Sequence, residues 1–402
     1  MRVRRIGDLF TIAKGKKYEE TQANDANEMV RYIQIEDLRN DNNIKMVNKI
    51  DNGVYVTSND VLIAWDGANA GTIGYNLTGI IGSTLAVLRP RDSNNYIPYI
   101  AKFLRSKSLF LRENCTGATI PHIQKKVLED IEVPLPSFEQ QKEIAYILDK
   151  AQTLIDKRQD AISKIDELIL AVFWDMFGDP IKNDYSFCKK KLPDFVSKDK
   201  YAIKRGPFGG ALKKDMFVKN GYLVYEQYHA INDEFTMARY FIDGDKFEEL
   251  KAFEVFPGDL IVSCSGVTLG RIAEVPRDAK KGIINQALLK ITLDQNIMNN
   301  TFFKYLFRHE GIQNILFGVS RGSGIPNFPP MEQVKDIDFI TPPIELQRKF
   351  AIIVSKIEVQ KKSYYQSLQH LESNFQALLQ KAFKGELKVK DGVVTDERFA
   401  VI

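Results

Sequence analysis

The side chains able to do chemistry in this sequence are few, and their spacing fits no common active site. Four histidines (His122, His229, His309, His370) are scattered over 402 residues with no metal-ligand spacing. Cys115, Cys188 and Cys264 lie far apart and are odd in number, so neither a disulfide framework nor a Cys-x-x-Cys site is indicated. Asn327-Phe328-Pro329-Pro330 holds the residue types of the (Asn/Asp/Ser)-Pro-Pro-aromatic loop that grips the target amine in adenine methyltransferases. The order is wrong, and the segment reads as a loop between a strand and a helix entrance. Gly322-Ser323-Gly324 is too short for a cofactor loop, and no Gly-x-x-x-x-Gly-Lys-Ser/Thr loop occurs. Glu386-Leu387-Lys388 has the carboxylate and lysine of a nuclease pair but sits at a helix exit without a partner motif. These residues point away from catalysis, and no metal or cofactor is expected.

The elements that would position a site are clearer. From Ser137 to Phe177, apolar residues recur at alternating steps of four and three: Ile144, Leu148, Ala151, Ile155, then Ile162, Ile165, Ile169 and Val172, with Arg158 the single polar break. A second row at seven-residue steps, Ile147, Leu154, Ala161 and Leu168, widens the stripe. Such spacing marks a helix that packs along a partner helix. The partner lies 206 positions on, from Pro343 to Phe383, with Phe350, Val354, Ile357, Lys361, Tyr364, Leu368, Leu371, Phe375 and Leu378 in its seam. Each helix would span about 60 Å, the length of a spacer rather than a core helix. Arg158 and Lys361 are either tolerated defects or residues that fix antiparallel register. Ser137 with Gln140 forms a capping box at the first entrance, and Gly178-Asp179-Pro180 stops that helix.

The repeat extends beyond the helices. Asp60-Val61-Leu62-Ile63 with Gly67 and Gly71 is echoed by Asp259-Leu260-Ile261-Val262 with Gly266 and Gly270. Gly117 to Ile123 matches Gly322 to Phe328, and IEVPLPSFEQQKEIA (131–145) matches IDFITPPIELQRKFA (337–351). Short strand-like runs at 31–35, 54–56, 61–64 and 85–88, a helix over 99–111 and an edge strand at 131–136 predict a mixed α/β (α+β) domain. The expected order is globular 1–136, helix 137–180, globular 181–342, helix 343–387 and a polar tail 388–402: an internal pseudo-twofold repeat with two long helices paired as an antiparallel coiled coil. The stretches between the shared elements differ, as 14–52 does from 198–245. Two related sites of different specificity are expected on one scaffold. With 44% hydrophobic and 27% charged residues the composition is that of a globular protein, and a net charge of +4 suits an acidic partner. MRVRRIGDLF is followed by no apolar leader, and no apolar run approaches a membrane span. A cytoplasmic location without membrane contact is expected.

These strings together resemble the specificity subunits of Type I restriction-modification systems. The entrance strings, the exit FWDMFGDP (173–180), the final AFKGEL (382–387) and KLPDF…IKRGPFGGALKKDMF (191–217) carry the resemblance, which runs from Ile6 to Leu387. It implies a non-catalytic subunit with two target recognition domains, each reading half of a split, asymmetric site in double-stranded DNA. It implies that the helix pair sets the half-site spacing, at most about 17 base pairs for such a spacer, and docks two methyltransferase subunits. Restriction and translocase subunits would join through that complex. A methylation-only system is the variant within the family; a stand-alone nuclease and a protein-binding adaptor are the readings outside it.

On that implication, DNA contacts fall in the divergent stretches, where Lys and Arg meet phosphates and Arg, Lys, Asn and Gln read bases. The candidates are Lys14, Lys16, Lys17, Arg31, Gln34 and Asn69 in the first region. In the second they are Lys204, Arg205, Lys213, Lys214, Gln227, Arg271 and Arg321. Gly206-Pro207-Phe208-Gly209-Gly210 is either a phosphate approach or a plain turn. Trp65 and Tyr225 are assigned to core packing rather than base stacking, and His122 and Asn327, at equivalent positions beside the Ile-Pro turn, to a hinge or turn rather than a base contact.

Overall fold

The structure, a computed structural model, describes residues 2–17, 29–117, 119–318, 328–387, 389–390 and 393–394. It forms two units. One comprises Met1–Asp160 with Tyr365–Ile402, the other Ala161–Tyr364. Each unit therefore holds one globular region and half of each long helix.

In the first unit the strands are β1 (Arg2–Arg5), β2 (Phe10–Lys14), β3 (Met29–Ile33), β4 (Lys45–Asn48), β5 (Tyr55–Val56), β6 (Val61–Ala64), β7 (Ile73–Tyr75), β8 (Gly79–Ile81), β9 (Leu85–Pro90) and β10 (Glu132–Leu135). They form an antiparallel sheet β2-β9-β6-β7, a mixed sheet β4-β3-β8-β5 in which β3 and β8 run parallel, and the pair β1-β10. The run Val61-Leu62-Ile63-Ala64 is apolar throughout because both faces of its sheet are covered. Val61 and Ile63 face the helices, while Leu62 and Ala64 face the second sheet, the two-residue alternation of a strand. The helix expected over 99–111 is two helices, Ile97–Ser106 and Ser108–Glu113, broken at Lys107.

The second unit repeats this plan. Its strands are β11 (Cys188–Lys191), β12 (Ile203–Arg205), β13 (Tyr222–Tyr225), β14 (Phe241–Ile242), β15 (Glu254–Val255), β16 (Leu260–Ser263), β17 (Ile272–Glu274), β18 (Gly282–Ile284), β19 (Leu288–Ile291) and β20 (Asp338–Thr341). The sheets are β12-β19-β16-β17, β14-β13-β18-β15 with β13 and β18 parallel, and β11-β20. Strand order and pairing sense match the first unit sheet for sheet.

The long helices are Phe138–Phe177 and Ile344–Lys384. The first begins with the expected box: the Gln140 amide donates to Ser137 Oγ at 3.3 Å and the Ser137 amide to Gln140 Oε1 at 3.2 Å. Within each unit the two helices share a core and run antiparallel. Ile144, Leu148 and Ala151 pack with Phe375, Leu378 and Ala382 in the first unit, and Ile169, Phe173 and Phe177 with Phe350, Val354 and Ile357 in the second. The seam residues Ile155, Ile162 and Ile165 are buried, while Val172, Tyr364, Leu368 and Leu371 are half-buried. Arg158 is half-buried, and Lys361 pairs across the seam with Asp166 at 2.5 Å. The second row behaves differently from expectation. Ile147 is buried against the globular core, but Leu154 and Leu168 are 39% and 50% exposed, because the helices carry no globular layer there.

Each globular region is clipped to its helix by a buried glutamine. Gln141 donates to the Pro136 carbonyl at 3.1 Å and accepts from the Tyr96 amide at 2.9 Å. Gln347 donates to the Pro342 and Ile297 carbonyls at 2.8 and 3.1 Å and accepts from the Asn299 amide at 2.8 Å. Tyr96 and Asn299 are the N-caps of the equivalent helices Ile97–Ser106 and Asn300–Arg308, so one side chain fixes both helix entrances in each unit.

Candidate nucleic-acid interface

In both units a glycine locks the end of the antiparallel sheet against the neighbouring backbone. A Cβ on Gly15 would lie 2.1 Å from the Gly82 carbonyl oxygen, and one on Gly206 1.8 Å from that of Asn285. Only glycine allows so close an approach. The residue before each glycine, Lys14 and Arg205, therefore emerges at the same point of the scaffold, beside the turn that follows β6 or β16. Those turns begin at Gly67 and Gly266, with φ of +90° and +77°, and protrude into open space.

In the first unit this point carries a charged cluster. Asp66 accepts from Lys14 Nζ at 2.6 Å on one carboxylate oxygen and pairs with His122 Nδ1 at 2.6 Å on the other. Desolvation alone would raise the Asp66 pKa, but the bonds from Lys14 and His122 outweigh it and hold the carboxyl below its ordinary range. In the second unit the equivalent of Asp66 is Ser265, and the cluster is polar. Gln227 Nε2 donates to Ser263 Oγ, to the Ser265 carbonyl and to Ser265 Oγ at 2.9, 2.9 and 3.1 Å. Arg205 lies between Phe208 and Phe328, 5.9 and 5.5 Å from their ring centroids. Its Nε is buried with no hydrogen-bond partner among the described residues. Phe208 stands 72% exposed beside it, and Val267, in the turn after β16, is 98% exposed, apolar surface able to meet a thymine methyl or a base face.

The remaining candidates divide. Lys17, Gln34, Lys213, Lys214 and Arg271 are exposed, and Lys16 is exposed while reaching the Asn52 carbonyl at 3.4 Å. Lys204 is half-buried over the Tyr201 and Phe253 rings, at 5.3 and 4.9 Å. Asn69 accepts from the exposed Arg39 at 2.7 Å. Arg321 and Asn327 lie outside the described residues. Arg31 serves the fold instead of presenting its guanidinium: it bonds Asp37 and Asp41, both at 2.5 Å, and its side chain is 16% exposed. Burial would lower its pKa, but the two aspartates raise it on balance. Arg31→Ala is expected to cost about 2–3 kcal/mol, measured by denaturant unfolding, because it strips a buried carboxylate of its charged partner.

Two other assignments stand as core. Tyr225 is fully buried and donates to the Lys280 carbonyl at 2.5 Å, with burial pushing its pKa up to about 12, and Trp65 packs against the first unit's core. Burial likewise pushes the Cys264 thiol up to about 12, which leaves it no thiolate character at neutral pH. Among the described residues no three His, Cys, Asp or Glu side chains group as metal ligands, and no helix is long and apolar enough to cross a membrane. Sequence reasoning missed Asp66, Arg39 and Val267. Asp66 carried a signal, since it directly precedes a glycine shared by both copies.

The structure is a tandem repeat of one α/β scaffold with paired helices and two different polar surfaces. Residues 1–166 match the family model of the Type I restriction modification DNA specificity domain. The chain is 32% identical over 188 residues to the Type I restriction enzyme MjaVIII specificity subunit of Methanocaldococcus jannaschii, covering 47% of this chain and 44% of that relative. It is 23% identical over 319 residues to the MjaIX specificity subunit of the same organism, covering 75% of this chain and 71% of the relative. The fold is shared with the S subunit of a Type I system from M. genitalium (16% identity, TM-score 0.55, covering 95% of this chain and 96% of that one). It is shared as well with a chain from work on complex assembly and conformational transition of the type I R-M system (15% identity, TM-score 0.62, covering 96% and 98%). The chain is thus similar to Type I restriction-modification specificity subunits, by a family model over residues 1–166 and by a relative of which it spans less than half the length.

Proposed function

We propose that this chain is the non-catalytic DNA-recognition subunit of a Type I restriction-modification complex. Each globular region reads one half of a bipartite, asymmetric duplex target. The helix pair sets the distance between half-sites and docks two methyltransferase subunits, through which restriction and translocase subunits join. The observation that carries this reading is the pair of equivalent positions held by Lys14 and Asp66 in one unit and by Arg205 and Ser265 in the other, with His122 bonded to Asp66 and Gln227 to Ser265. One frame with two donor and acceptor sets suits two different base sequences. Docking is supported by apolar side chains left open on the helices. In the second unit these are Leu168, Leu170 and Trp174 on the first helix and Val359, 69% exposed, on the second.

The test is selection of bound sequences from a randomised duplex library by the full chain. A split motif with two dissimilar halves is expected; enrichment of no motif would contradict the reading. Lys213 and Lys214 are assigned to phosphates. Replacing both by alanine should lower the slope of log affinity against log salt by about 2 while leaving the selected motif unchanged, as titrations at several salt concentrations would read out.

A further inference from the structure

We infer that His122 is a base-reading residue of the first recognition region, with Asp66 as its positioning partner and a base bearing an exocyclic amino group, adenine or cytosine, as its ligand. The inference rests on the DNA reading above and names the ligand of that same site.

The backbone around His122 makes it a fixed platform rather than a hinge. Its amide donates to the Thr116 carbonyl at 2.7 Å and its carbonyl accepts from the Thr116 amide at 3.0 Å. On the other side Gly67 donates to the Pro121 carbonyl at 2.9 Å and Ile123 to that of Trp65 at 3.0 Å. Asp66 and His122 thus face each other across a short antiparallel bridge, and Ile123 is buried in the core directly behind. Gly117, at φ +98°, supplies the tight turn: a Cβ there would lie 2.4 Å from the Ile120 carbonyl oxygen. The turn assigned from the sequence is real, and its effect is to present the imidazole.

The side-chain arrangement sets what the imidazole offers. A carboxylate on a surface that meets DNA would repel phosphates, but Asp66 is neutralised by Lys14 on one oxygen and engaged by His122 on the other. In the tautomer whose Nδ1–H donates to Asp66, the lone pair lies on Nε2. The His122 side chain is 49% exposed, and Nε2 has no hydrogen-bond partner among the described residues. In the major groove an acceptor of this kind pairs with adenine N6 or cytosine N4 and is mismatched against guanine O6 and thymine O4.

The experiment is selection from the randomised duplex library with the full-length wild-type chain, His122→Ala, His122→Gln and Asp66→Ala. His122→Ala should lose discrimination about tenfold to a hundredfold at one adenine or cytosine position of one half-motif. The other half should be unchanged, which reports an intact fold. Asp66→Ala should weaken the same position, and His122→Gln, whose amide oxygen also accepts, should recover part of it. A His122→Ala motif identical to wild type would overturn the assignment. So would loss of both halves together, or relaxation at a guanine or thymine. Absence of any split motif from the wild-type chain would instead defeat the DNA reading itself, and this assignment with it.

Discussion

Replacing Phe350 by alanine is expected to destabilise the second unit by about 3–5 kcal/mol. Phe350 is fully buried at the point where the second long helix meets the first and the globular region. Its ring lies 5.7 Å from Phe173, 5.5 Å from Phe177 and 5.4 Å from Tyr305, each edge-on. Phe302 closes the cluster against Phe177 at 4.6 Å. Truncation removes the ring that touches all three elements and leaves a cavity that rigid helices cannot collapse. Edge-to-face pairs add to the area term, about 0.5–1.5 kcal/mol each. Because the chain has two units, one global midpoint would blend two transitions, so hydrogen exchange is the proper measurement. Amides of helix Asn300–Arg308 should lose protection, while those of Ile97–Ser106 in the other unit keep theirs. Equal loss in both units would contradict this placement of the cluster.

Gln347→Leu should cost a comparable amount, about 3–5 kcal/mol, for a different reason. Leucine keeps most of the volume but leaves two carbonyls and one amide without a partner in a site with no solvent access. A buried polar group stripped of its bond costs about 1–3 kcal/mol. Gln141→Leu removes the equivalent clip with two bonds and should cost less, about 2–4 kcal/mol. The pair of variants separates the units: each should loosen the helix entrance on its own side only, again by hydrogen exchange. If the two side chains merely filled space, leucine would be neutral at both positions.

The helices were legible because a four-three apolar rhythm needs no tertiary knowledge, and β6 and β16 because a run buried on both faces is apolar at every position. What was not legible depended on partners far along the chain. β1 reads as a basic N-terminus, Arg-Val-Arg-Arg, yet it pairs with β10, Arg2 opposite Leu135. The break at Lys107 lies inside a continuous helical pattern and serves to turn Leu111 into the core. At the site, Lys14 is recognisable as a free cation only until Asp66 is brought beside it. Arg31 likewise reads as a free cation until Asp37 and Asp41 fold back onto it. Gln347 was within reach: it sits at the same step as Gln141 in the two entrance strings, but the neighbouring Gln140 already explained the cap. The outward row Leu154 and Leu168 shows the converse limit, since periodicity cannot tell a core face from a face awaiting a partner.

The central claim is that two regions of one chain read two independent half-sites. The most direct measurement is methylome sequencing of a host carrying this chain with a Type I modification subunit, before and after exchange of residues 1–136 or 181–342 for those of a relative. The account predicts a split motif of which only one half changes with each exchange. A motif that changes as a whole with either exchange, or modification without a split motif, would contradict it.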